Sequence, residues 1–167
     1  MATFRPRIAL PALVIIAALT ASFSDPAMMK DLDVLKRALA KSLGERSNTG
    51  ANRIAAVRKS EDHGRDTLLV VLNANSSPTT AGLRHGILDD TATVLEVAKS
   101  WGWPDKVDQV IVTEHFPLKG KDAPRDPQPI FVGAISSSKV REVDWGTIDR
   151  RKIPEMLDGL SWHGSLE

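Results

Sequence analysis

One stretch of the sequence, Pro78 to Phe116, limits the possible folds more than any other. Apolar residues recur in its first part at intervals of three and four, a period that predicts an amphipathic helix up to Trp101. Gly102 and Pro104 end this helix, because glycine accepts a left-handed conformation and proline cannot continue a helix. The run that follows, Val107 to Phe116, is rich in β-branched residues and predicts a strand.

A helix with one apolar stripe needs a second layer to cover that stripe. The apolar run Leu68 to Leu72 lies upstream and predicts a strand. The order strand, helix, strand indicates a crossover unit, right-handed if the two strands are parallel. Ser76 or Ser77 is the expected N-cap of the helix, with Pro78 in its first helical position.

The remaining elements are predicted from shorter patterns along the chain. Two helices are expected, from Pro26 to Leu43 with Asp25 as the cap and Gly44 at the end, and from Ile153 to Leu160. Two further strands are expected at Ile54 to Val57 and Ile130 to Ile135, the first in a hairpin whose loop, around Asp62 to Gly64, exceeds two residues. The sum predicts an α+β fold: a four-stranded, mostly antiparallel sheet with two long helices packed on one face and a short C-terminal helix.

The N-terminus has the features of a signal peptide. Arg5 and Arg7 precede an apolar run of twelve residues, Ile8 to Leu19, and small residues follow that run. We expect a cleaved signal peptide at residues 1–24 and a single α/β domain at residues 25–164, exported to the periplasm, the cell surface or the medium. The alternative is an uncleaved membrane anchor, although the apolar run is shorter than the roughly 20 residues of a spanning helix.

Charge and cysteine content exclude several classes of function. Removing Arg5 and Arg7 leaves twenty Lys and Arg against twenty-one Asp and Glu, a net charge of about −1. That balance argues against binding of nucleic acid, and membrane contact is expected only through an uncleaved N-terminal segment. Because the chain has no cysteine, it forms no disulfide, uses no thiol in catalysis and carries no lipid on an N-terminal cysteine.

The sequence contains no standard phosphate-binding, dinucleotide-binding, zincin or serine-hydrolase motif. His85 and Asp89 lie four residues apart on the predicted helix, and His115 lies on the next strand. A zinc site needs at least three protein ligands, so these three residues define one alternative, a metal-assisted hydrolase. Their spacing matches no standard signature, and a solvated helix edge is the simpler explanation of His85 and Asp89. We therefore predict no catalytic residue, no metal ligand and no cofactor.

Four tryptophans stand out in a chain that has no tyrosine. Trp101 is expected to end the buried stripe of the helix. Trp103 lies beyond the helix stop and is the candidate for an exposed ring, of the kind that binds a sugar or a peptide. Trp145 and Trp162 are expected to close the open end of the core.

The segment from Pro117 to Pro129 is rich in proline and charge and predicts an exposed loop between two strands. Loops on a rigid sheet often carry binding residues. Lys119, Lys121 and Arg125 are therefore further binding candidates, and a solvated connection that binds nothing is the alternative.

Several short motifs together resemble a family of small exported bacterial domains. The motifs are Gly86-Ile87-Leu88-Asp89-Asp90-Thr91-Ala92, the apolar strand after it, Val143-Asp144-Trp145, the short helix near Ile153 and Trp162-His163. The resemblance covers roughly Arg53 to Gly164 and implies export and an αββαββ-like order of elements. Members of that family are often carried on lipoproteins, whose lipid-bearing cysteine this chain lacks. The resemblance implies no activity and no functional residue.

The prediction for function follows from these observations. We expect an exported, non-enzymatic domain that binds a protein or another partner in the cell envelope. The alternatives are the hydrolase based on His85, Asp89 and His115, and an accessory protein held in the membrane by its N-terminal segment.

Overall fold

The computed structural model describes residues 26–118 and 126–166, apart from the side chains of Asp62 and Ser165. The helices are α1 (Pro26–Leu43), α2 (Thr80–Ser100), α3 (Ser137–Glu142) and α4 (Ile153–Met156). The strands are β1 (Ile54–Asp62), β2 (Arg65–Asn73), β3 (Gln109–Phe116), β4 (Gln128–Ser136) and β5 (Gly159–Trp162). The predicted signal peptide, the Asp25 cap and the candidates Lys119, Lys121 and Arg125 lie outside the described residues.

The strands form one sheet in which their order equals their order along the chain, β1-β2-β3-β4-β5. β2 and β3 are parallel, and the other neighbouring pairs are antiparallel. The α+β class and the crossover from β2 through α2 to β3 are therefore confirmed. The predicted count of four strands is wrong, because the sheet has five.

The fifth strand lies where the sequence predicted the end of the last helix. Helix α4 stops at Met156, and Gly159–Trp162 pairs with β4 from Ala134 to Phe131. The stretch has four residues, too few for the alternation of Leu160 and Trp162 with Gly159 and Ser161 to predict a strand, and its pairing with the edge of β4 makes it one. The ring of Trp162 packs against that of Phe131, with the centroids 4.8 Å apart, and this contact helps to hold β5 against β4.

The β1–β2 hairpin is tighter than predicted. Asp62 pairs with Arg65, which leaves a loop of two residues, His63 and Gly64. Both loop residues have positive φ, 50° and 75°. Two consecutive left-handed residues match the right-handed twist of the flanking strands, and β1 therefore extends to Asp62 rather than ending at Val57.

Helix α2 begins two residues later than predicted. Thr79, not Ser76 or Ser77, is the N-cap, and its hydroxyl accepts a hydrogen bond of 3.0 Å from the Gly82 amide. The stop is as predicted, because Gly102 has a φ of 68° in the left-handed region. Among the described residues, no helix combines the length and apolar character that crossing a membrane requires.

One face of the sheet carries the core. Leu68, Val70 and Leu72 of β2 and Val110 and Val112 of β3 are at most 1% exposed. Helices α1 and α2 contact each other, α1 contacts β1, and α2 contacts β3. This helix-covered face is called the covered face below.

The two tryptophans at the end of α2 exchange their predicted environments. Trp103 is 1% exposed, whereas Trp101 is 50% exposed. The left-handed Gly102 reverses the chain direction, so Trp103 turns back into the core at the start of a short 3-10 turn. The prediction of an exposed binding ring at Trp103 is therefore wrong. Trp145 is fully buried, as predicted.

Candidate functional site

The predicted residues His85 and Asp89 lie on an exposed part of α2. His85 Nε2 is 3.3 Å from Asp89 Oδ2, and their side chains are 65% and 47% exposed. The other Asp89 oxygen accepts a hydrogen bond of 2.7 Å from Arg150 Nε. Asp89 therefore has a cation and an imidazole beside it, as expected for a solvated helix edge.

The structure does not place His115 beside His85 and Asp89. Alternation along β3 places His115 on the face opposite Glu114, and Glu114 faces α2. Burial lowers the pKa of His115 from its usual range. Within residues 26–118 and 126–166, no three His, Asp or Glu side chains are arranged to hold a metal ion. The geometry thus gives no support to the predicted metal-assisted hydrolase.

A first feature that the sequence did not single out is the other face of the sheet, called the open face. It is formed by Leu69, Val71, Ile111, Val132 and Ala134, which the strand register places side by side. Each of these side chains is partly exposed, and none of the five belongs to the core cluster. The sheet is therefore buried on one side and only partly covered on the other.

The open face is small in area, and its five apolar side chains lie around Thr113, which is opposite Val71 and Val132 and is 8% exposed. The five residues occupy three strands spaced about 4.8 Å apart, with two positions about 6.6 Å apart on β2 and on β4, so their Cα atoms span roughly 10 by 7 Å. The nearest charged position in the register is Arg58, opposite Leu69, on the exposed edge strand β1. At the other end Thr67 and Gln109 are buried and joined by a hydrogen bond of 2.8 Å.

A second feature is a buried cluster of three ionisable side chains, Arg53, Asp90 and Glu114, called the acid pair with Arg53. Arg53 and Glu114 are both 0% exposed, and Asp90 keeps 15% of its side chain exposed. Arg53 donates hydrogen bonds to the Asp90 carboxylate and to the Asn73 carbonyl. Its Nη1 atom is 3.9 Å from Glu114 Oε2, which exceeds hydrogen-bond distance.

Three different segments supply these side chains. Arg53 immediately precedes β1, and its backbone bonds to Glu45 and Asn73. Asp90 lies midway along α2, and Glu114 lies near the end of β3. The crossover brings α2 over the parallel strands, so that a guanidinium and two carboxyl groups meet between the helix and the sheet.

Burial dominates the electrostatics of the acid pair. Burial raises the pKa of Glu114 well above its usual range, and the negative charge of Asp90 raises it further. Burial also raises the pKa of Asp90, although the hydrogen bond from Arg53 opposes that effect. No donor within the described residues reaches either oxygen of Glu114. A proton held between Glu114 and Asp90 would satisfy both groups, and burial favours the neutral form of Glu114 in particular.

Sequence reasoning did not single out Arg53, and it did not predict that Glu114 meets Asp90. The available signal was a charged residue inside an apolar strand, since Glu114 follows Val110, Ile111 and Val112 in a run that predicts burial. Such a residue is buried only when it has a partner or a proton. The identity of that partner depends on the tertiary fold.

Comparisons of this chain with protein-family models, with curated proteins and with solved structures gave no match.

Proposed function

We propose that this chain is an exported, non-enzymatic domain that binds another protein through the open face of its sheet. The observation that carries the proposal is the partly exposed apolar surface of Leu69, Val71, Ile111, Val132 and Ala134. An exposed apolar patch on a folded domain typically marks an interaction site. The N-terminal signal features and the resemblance to exported bacterial domains support the cellular location.

The shape of the open face favours an amphipathic helix of the partner protein. The patch is smaller than the roughly 800 Å² that each copy contributes to a stable dimer interface, which favours a short segment of a partner over a second copy of this chain. A helix is about 10 Å wide, close to the span of the patch across its three strands, so one apolar side of a helix covers it. Apolar contacts, rather than charge, are then the main source of affinity.

The test places a photoreactive amino acid at Ile111 in the exported protein and, as the control, at Arg37 on the exposed side of α1. The expected result is a cross-linked product of discrete mass from position 111 only. A synthetic peptide of the cross-linked segment then binds the purified domain and becomes helical, as measured by circular dichroism. Val71→Lys weakens that binding at least tenfold, because it places a charge in the apolar interface.

Three results would contradict this proposal. They are equal cross-linking from both positions, a product that joins two copies of this chain, and a product within one chain between position 111 and residues 1–24. Sedimentation of the purified domain distinguishes the second result from the others, because a dimer has twice the mass.

A further inference from the structure

The acid pair with Arg53 contains more acids than bases. Two carboxyl groups, Asp90 and Glu114, share one guanidinium, and Arg53 makes its direct bond to Asp90. If both acids were ionised, the buried cluster would carry a net charge of −1. A buried ion without a hydrogen-bond donor is strongly disfavoured, and Glu114 has no such donor among the described side chains and backbone groups.

Among residues 26–118 and 126–166, Arg53 is the cation whose charge acts on Glu114. The side chain opposite it on β4 is Phe131, and β2 contributes the Asn73 carbonyl, which Arg53 already uses. Asp89 adds negative charge next to Asp90, and the charges that act on Glu114 are those of Asp90 and Arg53. His115 lies on the other face of the strand. One proton, bound by the two acids, is therefore needed to balance the charge of the cluster.

We propose that Arg53, Asp90 and Glu114 form a one-proton switch that holds the loop of residues 44–53 on the sheet while Glu114 is neutral and releases it when Glu114 ionises. The proposal is independent of the open face and of the partner that binds there. It assigns a regulatory role to a buried cluster that lies between α2, β3 and the start of β1.

The mechanism follows from the bonds that Arg53 makes. With Glu114 neutral, the Glu114 proton lies toward Asp90, and Arg53 balances the charge of Asp90. When Glu114 loses the proton, the buried charge becomes −1, and admission of water or reorientation of Arg53 is the way to relieve it. Reorientation moves Nη1 toward Glu114 and breaks its bond to the Asn73 carbonyl, and water that enters the cluster competes for the same bond.

The loop of residues 44–53 is attached to β2 by the Asn73 amide, which donates to the Arg53 carbonyl at 2.9 Å, and by Asn73 Nδ2, which donates to the Asn52 carbonyl at 2.7 Å. Arg46 and Asn52 form an isolated bridge within the loop. Asn48 joins the loop to the segment before α2, accepting from the Ser76 amide at 2.7 Å while the Asn48 amide donates to Asn75 Oδ1 at 2.9 Å. Asn48 Nδ2 also donates to the Ser76 carbonyl, and the Ser76 hydroxyl donates to Asn48 Oδ1. These side-chain hydrogen bonds are exposed, so the Arg53 guanidinium supplies the buried side-chain attachment of the loop.

The sign of the pH dependence is fixed by the direction of the shift. The pKa of Glu114 is raised in the folded state, so the folded chain binds this proton more tightly than the unfolded chain. The resulting stability is fully present below the ordinary pKa of glutamate, about 4.3. It is lost as the pH rises from there through the raised pKa, by a factor of up to ten in the folding equilibrium for each pH unit.

The experiment measures backbone amide exchange by mass spectrometry in peptides that cover residues 44–53, between pH 5 and pH 9. Rates are corrected for the intrinsic dependence of exchange on pH. In the wild type, protection of this loop is expected to fall at least tenfold with rising pH, while peptides from β3 and β4 change less. In Glu114→Gln, which imitates the neutral side chain, protection is expected to stay constant.

The matched control is Glu96→Gln, the same change on a partly exposed residue of α2, which should keep the wild-type profile. An unchanged pH profile in Glu114→Gln would overturn the proposal, as would an equal loss of protection at every pH. If Glu114→Gln fails to fold, carbon-13 NMR of the wild-type Glu114 carboxyl group decides the matter. A titration midpoint at or below the ordinary range of glutamate contradicts the switch, and a midpoint well above it supports the switch.

Discussion

Asp89 and Asp90 are neighbours on α2, yet they lie in opposite environments. Asp89 is 47% exposed and has Arg150 and His85 beside it. Asp90 points toward the sheet, where it meets the buried Arg53 and the acid Glu114. A rotation of about 100° around the helix separates a screened surface ion pair from a buried one. The comparison shows that the environment of a carboxylate, rather than the presence of a cation, decides its energetic weight.

The largest expected effect comes from removing the buried cation. Arg53→Met leaves Asp90 without its counter-charge and Glu114 without any nearby cation, so we expect a loss of about 3–5 kcal/mol in the free energy of unfolding. Urea denaturation measures this loss in the free energy of unfolding. Arg150→Met is the comparison on the exposed side, and a loss as large as that of Arg53→Met would remove the distinction between the two sites.

An intermediate effect is expected from Asp90→Asn. The guanidinium of Arg53 then has Glu114 as its only nearby acid, and removal of the Asp90 charge lowers the pKa of Glu114 toward its usual range. We expect a loss of about 1–3 kcal/mol at neutral pH, because Arg53 keeps a partner. Thermal unfolding at several pH values measures both consequences. A pH dependence identical to that of the wild type would show that the two acids do not interact.

The smallest effect is expected from Asp89→Asn on the exposed side of the helix. Surface ion pairs contribute little, so the free energy of unfolding should change by less than about 1 kcal/mol. Raising the salt concentration to about 1 M screens the pair and should remove most of the difference from the wild type. Urea denaturation at low and high salt is the measurement, and a salt-independent loss of several kcal/mol would contradict this interpretation of Asp89.

The elements that the sequence predicts well are those set by local chemistry. The apolar period of α2, the stop at Gly102 and the β-branched run of β3 all depend on residues that are adjacent in sequence. The environments of Trp101 and Trp103 were exchanged, because burial on either side of a left-handed residue depends on the direction in which the chain leaves the turn. The type of each element depends on neighbouring residues, whereas the burial of Trp101 and Trp103 depends on the tertiary fold.

Contacts between distant segments could not be predicted from the sequence either, because they also depend on the tertiary fold. Strand β5 exists because β4 offers it an edge, and the acid pair exists because the crossover places Asp90 over Glu114. Arg53 joins residues 37 and 61 positions away, Asp90 and Glu114. No pattern within either helix or strand records such a meeting. The open face likewise became visible only when the strand register aligned its five apolar side chains.

The identity between strand order and chain order has a consequence for how the domain assembles. Each new strand pairs with the strand made just before it, so a chain that emerges N-terminus first can add strands one at a time to a growing edge. The β2–β3 step is the one parallel pairing between neighbouring strands of the described sheet, and its connection through α2 is the longest of the four. The β1–β2 hairpin can therefore form before α2 docks, and we expect the β2–β3 pairing to be the slowest because it closes the longest connection.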